Sequence, residues 1–162
     1  MSLPDIKTIL YTTLLDDYSR PVFRHAVQLA RLTGAHIHML HVIEPIGEMG
    51  HALIRNYLPE DMIHRMHEEG IHKVLDQMRE RVDKFIEDEL SILPDNGTPK
   101  ITPVVAEGPH SDVILEQAEK LGADVIIMGA ENRFGHHSHT ANQVIRYAKI
   151  PVYVVPTGKD YI

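Results

Sequence analysis

The stretch from Gly122 to Pro156, GADVIIMGAENRFGHHSHTANQVIRYAKIPVYVVP, narrows the fold more than any other part of the chain. Val125 to Met128 is a short apolar run of the kind that fills a buried strand, and Val152 to Val155 is a second one. Between them lie a loop rich in glycine and histidine and a helix predicted over Ser138 to Lys149. Strand, crossover helix, strand is the unit that builds a parallel sheet, with a connection that is almost always right-handed. Open α/β sheets take ligands beyond the carboxyl ends of their strands, so the loop from Gly129 to Ser138 is the first place to look for a site.

The rest of the chain extends the same alternation. Ile6 to Leu14 reads as a strand, and the polar turn Leu15 to Ser19 leads into a helix with Ser19 as N-cap and Pro21 in its first turn. Val22, Ala26, Leu29 and Ala30 form that helix's apolar stripe, which Thr33-Gly34 ends. His36 to Ile43 is a second strand. Glu44 to Tyr57 reads as a mixed loop. Pro59-Glu60-Asp61 opens a long helix with Met62, Met66, Val74, Met78, Val82, Phe85 and Ile86 on its apolar face, running to about Leu90, with a possible break at Gly70. After a turn at Pro94 to Gly97, Lys100 to Ala106 is a third strand. Pro103 inside it has no N–H to give a ladder, which places the strand at a sheet edge. Ser111 to Leu121 is a further helix, capped by Ser111. The order βαβαβαβαβ has no linker or repeat, so the expected architecture is α/β: one doubly wound parallel sheet in one domain spanning residues 1–162.

Composition removes several classes of function. Lys and Arg number 16 against 23 Asp and Glu, for a formal charge of −7, which argues against a nucleic-acid backbone as partner. With no cysteine there is no disulfide framework, thiolate metal site or Cys nucleophile. No apolar run approaches the roughly 18 residues of a membrane span, and Met1 to Ile6 shows no signal-peptide pattern, so a soluble cytoplasmic protein is expected. The 12 histidines stand out: protonating all of them would carry the formal charge past zero.

The chain resembles the universal stress protein family over nearly its whole length. The resemblance is carried by the opening strand with its Asp16-Asp17-Tyr18-Ser19 turn, by FRHAVQLARLTGAHIHMLHVIEP (Phe23 to Pro45), by Glu107-Gly108-Pro109 before ILEQAEKLGADVIIMG (Ile114 to Gly129), and by the terminal IPVYVVP (Ile150 to Pro156). It implies five parallel strands in the order 3-2-1-4-5 with helices on both faces, and a homodimer through the last strand, Val152, Tyr153, Val154 and Val155. In the family's ATP binders an aspartate after the first strand holds the adenosine end. A loop after the fourth strand (glycine, two residues, glycine, nine residues, glycine, then serine or threonine) cradles the phosphates on its amides.

This chain departs from that pattern in both places. Leu14 stands where the aspartate belongs, with Asp16 two residues on. Gly129 matches the first glycine, Asn132 replaces the second, and the loop is about four residues short before the helix, with Gly135 further along. The nucleotide- or anion-binding set implied is Leu14, Asp16, Val42, Gly129, Asn132, Arg133, Gly135, Ser138 and Thr140. Arg133 with Ser138 and Thr140 makes a phosphate site at the last helix's N-terminus, better sized for AMP than for ATP. The leading expectation is a stress-response module that binds a small ligand or an unidentified protein partner as a homodimer with a degraded ATP loop. The alternatives are an adenine-nucleotide switch or slow ATPase, and a metal protein.

The metal alternative rests on His136, His137 and His139, since imidazole binds zinc, copper and nickel. A second candidate patch lies on the long helix at His64, His67, Glu68 and His72. His110, Ser111 and Asp112 adjoin in sequence, but neighbouring residues do not face one another as a hydrolytic triad must.

Overall fold

Five β-branched, apolar segments form the strands of a parallel sheet, and the helices between them lie against its two faces. The computed structural model describes residues 2–15, 20–44, 48–85, 87–88, 97–130 and 138–158, with Phe85 described for its backbone only. The elements run β1 (Thr8–Thr12), α1 (Arg20–Thr33), β2 (His36–Ile43), α2 (Glu48–Arg55), α3 (Glu60–Phe85), β3 (Ile101–Glu107), α4 (His110–Leu121), β4 (Val125–Gly129), α5 (His139–Tyr147) and β5 (Val152–Val155). The strand order is β3-β2-β1-β4-β5, as the resemblance implies. β3 is an edge strand, which is what Pro103 requires.

Alternation along each strand sorts side chains to two cores. Ile9, Tyr11, Ile37, Met39, Val125 and Ile127 face α1 (Val22, Ala26, Val27, Ala30) and the later part of α3 (Met78, Val82). Leu10, Leu40, Val42, Ile126 and Met128 face α4 (Val113, Ile114, Ala118) and α5 (Ala141, Val144). Central strands buried on both faces need continuous apolar runs rather than alternation, and VIIMG is such a run. Each fully buried aliphatic side chain here contributes on the order of 1.5–3 kcal/mol.

The structure corrects several sequence expectations. Residues 48–55 form a helix rather than part of a loop: Glu48 and Arg55 complement its dipole, while none of its side chains is buried, so the core left no stripe to read. Gly70 does not interrupt α3, because one glycine costs a long helix only about 1 kcal/mol. Met62 and Met66 are exposed rather than core, since only the part of α3 from Val74 onward lies over the sheet. α4 begins at His110 with Pro109 as its N-cap, so Ser111 sits inside the first turn and caps nothing. β1 is shorter than expected and β3 runs one residue later. Ser19 and the turn at Pro94 to Gly97, except Gly97, lie outside the described residues, as do Ile86 and Leu90. α4 closes on Gly122, left-handed at φ 63°, whose N–H reaches the carbonyls of Ala118 and Glu119.

One carboxylate fastens the amino ends of the two central strands. Asp124 Oδ2 accepts from the N–H groups of Lys7 and Thr8, both at 2.9 Å, while its own N–H donates to the Thr8 carbonyl at 2.8 Å. Hydrogen bonds to a charged acceptor contribute about 1.5–3 kcal/mol, and only the Thr8 bond is part-buried. Asp124→Ala is therefore expected to lower stability by about 2 kcal/mol in urea denaturation, and Asp124→Asn by less. An unchanged midpoint in the alanine variant would show that this clamp is idle.

Candidate functional site

Strand register brings two of the sequence-selected positions to one level, beside the neighbour of a third. Thr12 is opposite Leu40 on β2, and Tyr11 is opposite Ile127 on β4. Continued by two or three residues, these registers set Leu14 level with Val42 and Ala130, one step past Gly129. The strand order reverses between β1 and β4, which is where doubly wound sheets take ligands. Leu14 is 37% exposed and Val42 is buried, so the side chains at this level on β1 and β2 are apolar.

The turn that carries Leu14 is tightly held. The Thr13 N–H donates to the Leu40 carbonyl at 2.9 Å, and the Leu15 N–H donates to Thr13 Oγ1 at 3.0 Å. Leu15 is left-handed at φ 59°, an unusual conformation for a branched side chain that these bonds sustain. His41 completes the arrangement with its Nδ1 2.9 Å from the Thr13 carbonyl. A carbonyl only accepts, so Nδ1 carries the proton. Thr13 and His41 were not singled out in the sequence. The available signal was their register: two polar residues at the carboxyl ends of otherwise apolar neighbouring strands.

The far wall is built by β4 and α5. Gly129 is needed for close approach, because a Cβ there would lie 2.8 Å from Thr157 Cγ2 and 3.4 Å from Val22 Cγ2. Beyond it the Ala130 N–H donates to the Val155 carbonyl at 2.9 Å, and the Ser138 N–H donates to the Ala130 carbonyl at 3.0 Å. Ala130 and Ser138 thus lie side by side. Ser138 is the N-cap of α5, its Oγ accepting from the Ala141 N–H at 3.0 Å. Ser138 is itself buried, and Thr140 two residues on is half-buried. Asp16, Asn132, Arg133, Gly135, His136 and His137 lie outside the described residues.

The remaining candidates do not converge. His139 is exposed at the first position of α5, and no three His, Asp or Glu residues come together as metal ligands among the described residues. On α3 His64 pairs with Glu68 at 3.1 Å, whereas His67 turns to Glu107 at the end of β3. His110 Nδ1 lies 2.8 Å from Glu44 Oε1 rather than facing Ser111 or Asp112, so no triad forms. No helix among the described residues is long and apolar enough to cross a membrane.

Burial lowers the pKa of His41 from its ordinary value of 6.5, partly offset by the bond to Thr13, with His110 and Arg81 adding to the fall. An unfolded histidine titrates near 6.5 and the folded one lower, so protonation favours the unfolded chain. His41's contribution is complete above about pH 6.5 and is lost as pH falls below it. His41→Gln is expected to flatten part of the decline in urea midpoint between pH 7.5 and 5.5. An identical decline in both proteins would contradict this.

Comparison with known proteins agrees with the fold. The model of the universal stress protein family matches residues 5–156. Universal stress protein A homolog 2 of Coxiella burnetii is 29% identical over 159 residues, covering 94% of this chain and 97% of its own. Universal stress protein G of Shigella flexneri is 31% identical over 142 residues, covering 86% and 89%. Among solved structures, a universal stress protein in complex with cAMP aligns with a TM-score of 0.61 at 19% identity, covering 95% of this chain and 99% of that one. The universal stress protein from Archaeoglobus fulgidus in complex with dAMP aligns at 0.53 and 18%, covering 94% and 98%.

Proposed function

Because the chain belongs to the universal stress protein family, we propose that it is a stress-response module that holds an adenine mononucleotide in the crevice between β1 and β4 and acts as a homodimer. The observation that carries the ligand is the register of β1 with β2 and β4, which extended past Thr12 sets Leu14, Val42 and Ala130 at one level, with the Ser138 N–H bonded to the Ala130 carbonyl. An apolar wall suits a base, and the start of α5 suits one phosphate. A loop about four residues shorter than the family's ATP-binding spacing offers fewer amides to a triphosphate. Relatives of this fold hold cAMP and dAMP, both monophosphates. Equilibrium dialysis with AMP, cAMP and ATP tests the reading: the monophosphates are expected to bind at least as tightly as ATP. Retention of none of them at millimolar concentration would sink it.

The homodimer is supported by β5. Among the described residues this edge strand pairs only with β4, and it presents Val154 and Tyr153, 36% and 39% exposed, the tyrosine hydroxyl lying 2.6 Å from His25 Nδ1. An apolar edge of this kind pairs readily with a second copy of itself. Val154→Lys is expected to raise the dimer dissociation constant at least tenfold, because the ammonium group would enter an apolar contact. Light scattering at tens of micromolar decides, and a wild-type chain of strictly monomeric mass would exclude the dimer.

A further inference from the structure

The structure holds a second candidate site at the opposite end of the sheet. His36 and His38 are two residues apart on β2 and therefore project from the same face. Their ring centroids are 4.1 Å apart with planes inclined at 38°. This is the face of Leu40 and Val42, which α4 covers further along; both imidazoles remain half-buried where that cover ends. His36 Nε2 is 2.7 Å from Thr102 Oγ1 on the neighbouring strand. His38 Nδ1 is shielded from solvent and has no hydrogen-bond partner among the described residues.

We propose that His36 and His38 together chelate a divalent transition-metal ion, copper(II) or nickel(II) before zinc(II), at the amino ends of β2 and β3. Imidazole is a good ligand for all three ions, and the general affinity order favours copper. The strand backbone supplies preorganisation: Ile37, fully buried between the two histidines, holds their Cα positions fixed. Thr102 supplies the outer contact that orients a metal-bound imidazole, occupying Nε2 of His36 and leaving its Nδ1 to ligate. The unpartnered His38 Nδ1 gains the partner it lacks. Capture requires the two tilted rings to turn until their Nδ1 atoms converge. Two protein ligands leave the other positions to water, so the ion is exchangeable rather than structural.

The experiment uses the full chain carrying His136→Gln, His137→Gln and His139→Gln, so that the loop histidines do not compete. Titration calorimetry with Cu²⁺ is expected to show one site per chain. His36→Gln and His38→Gln should each weaken it at least tenfold, and the double variant should be little worse than either, since a chelate is lost with its first ligand. Affinity unchanged by either substitution overturns the proposal. Should a variant fail to fold, the wild-type side chains still decide: substoichiometric paramagnetic Cu²⁺ should bleach NMR signals of His36, His38 and Thr102 first. Bleaching confined to other histidines overturns it.

Discussion

Replacing Ile127 by alanine is expected to cost about 4 kcal/mol of folding stability. Ile127 is fully buried in β4, between Tyr11 on β1 and Tyr153 on β5 in register, and it packs in the core under α1. Truncation removes three carbons from water-excluded packing and leaves a cavity whose walls are strands held in ladders on both sides. Such walls relax little, which puts the cost toward the upper part of the ~2–5 kcal/mol range for large-to-alanine core changes. Domains of this size have about 5–15 kcal/mol in total, so the variant should unfold at a much lower urea concentration. Ile127→Val, which removes one methyl group, should cost about 1 kcal/mol. Circular dichroism over a urea series measures both. A loss below about 1 kcal/mol for the alanine variant would mean that the sheet closes around the gap and that this core is not rigid.

The same burial explains what could be read from the sequence. VIIMG is a continuous apolar run, and TILYT and HIHMLHVI carry apolar cores of the same kind, because both sheet faces are covered over the middle of these strands; such runs between amphipathic helices leave few alternatives to a parallel sheet. Pro103 gave the edge through one missing donor. α2 escaped detection for the converse reason: it buries nothing, so its sequence was free of the core's demand for an apolar stripe. Met62 and Met66 were misplaced because periodicity reports which face of a helix is apolar, not where the sheet beneath it ends. At the site, Gly129 and Ser138 were legible through backbone rules, close approach and capping. His41 was not, because its role depends on the carbonyl of Thr13, 28 residues away and adjacent only through the register of β1 and β2.

That register also frames the second large prediction, a gain of nucleotide affinity on restoring a carboxylate at position 14. Leu14 stands at the crevice mouth, 37% exposed, on a turn fixed by the bonds of Thr13, Leu15 and His41. A carboxylate there would be held in place rather than free to wander, and the chain already shields no acid at that level among its described residues. Hydrogen bonds to a charged group contribute about 1.5–3 kcal/mol, so Leu14→Asp is expected to tighten AMP binding by about tenfold to a hundredfold in equilibrium dialysis. Leu14→Asn keeps the shape but not the charge and should give a smaller gain. Asp16, two residues further along in the sequence, supplies the competing account as an acid that would serve an adenosine in place of position 14. If Asp16 already holds the ribose, Leu14→Asp adds nothing and Asp16→Asn abolishes binding. If position 14 is the point of contact, Asp16→Asn leaves AMP affinity unchanged while Leu14→Asp raises it.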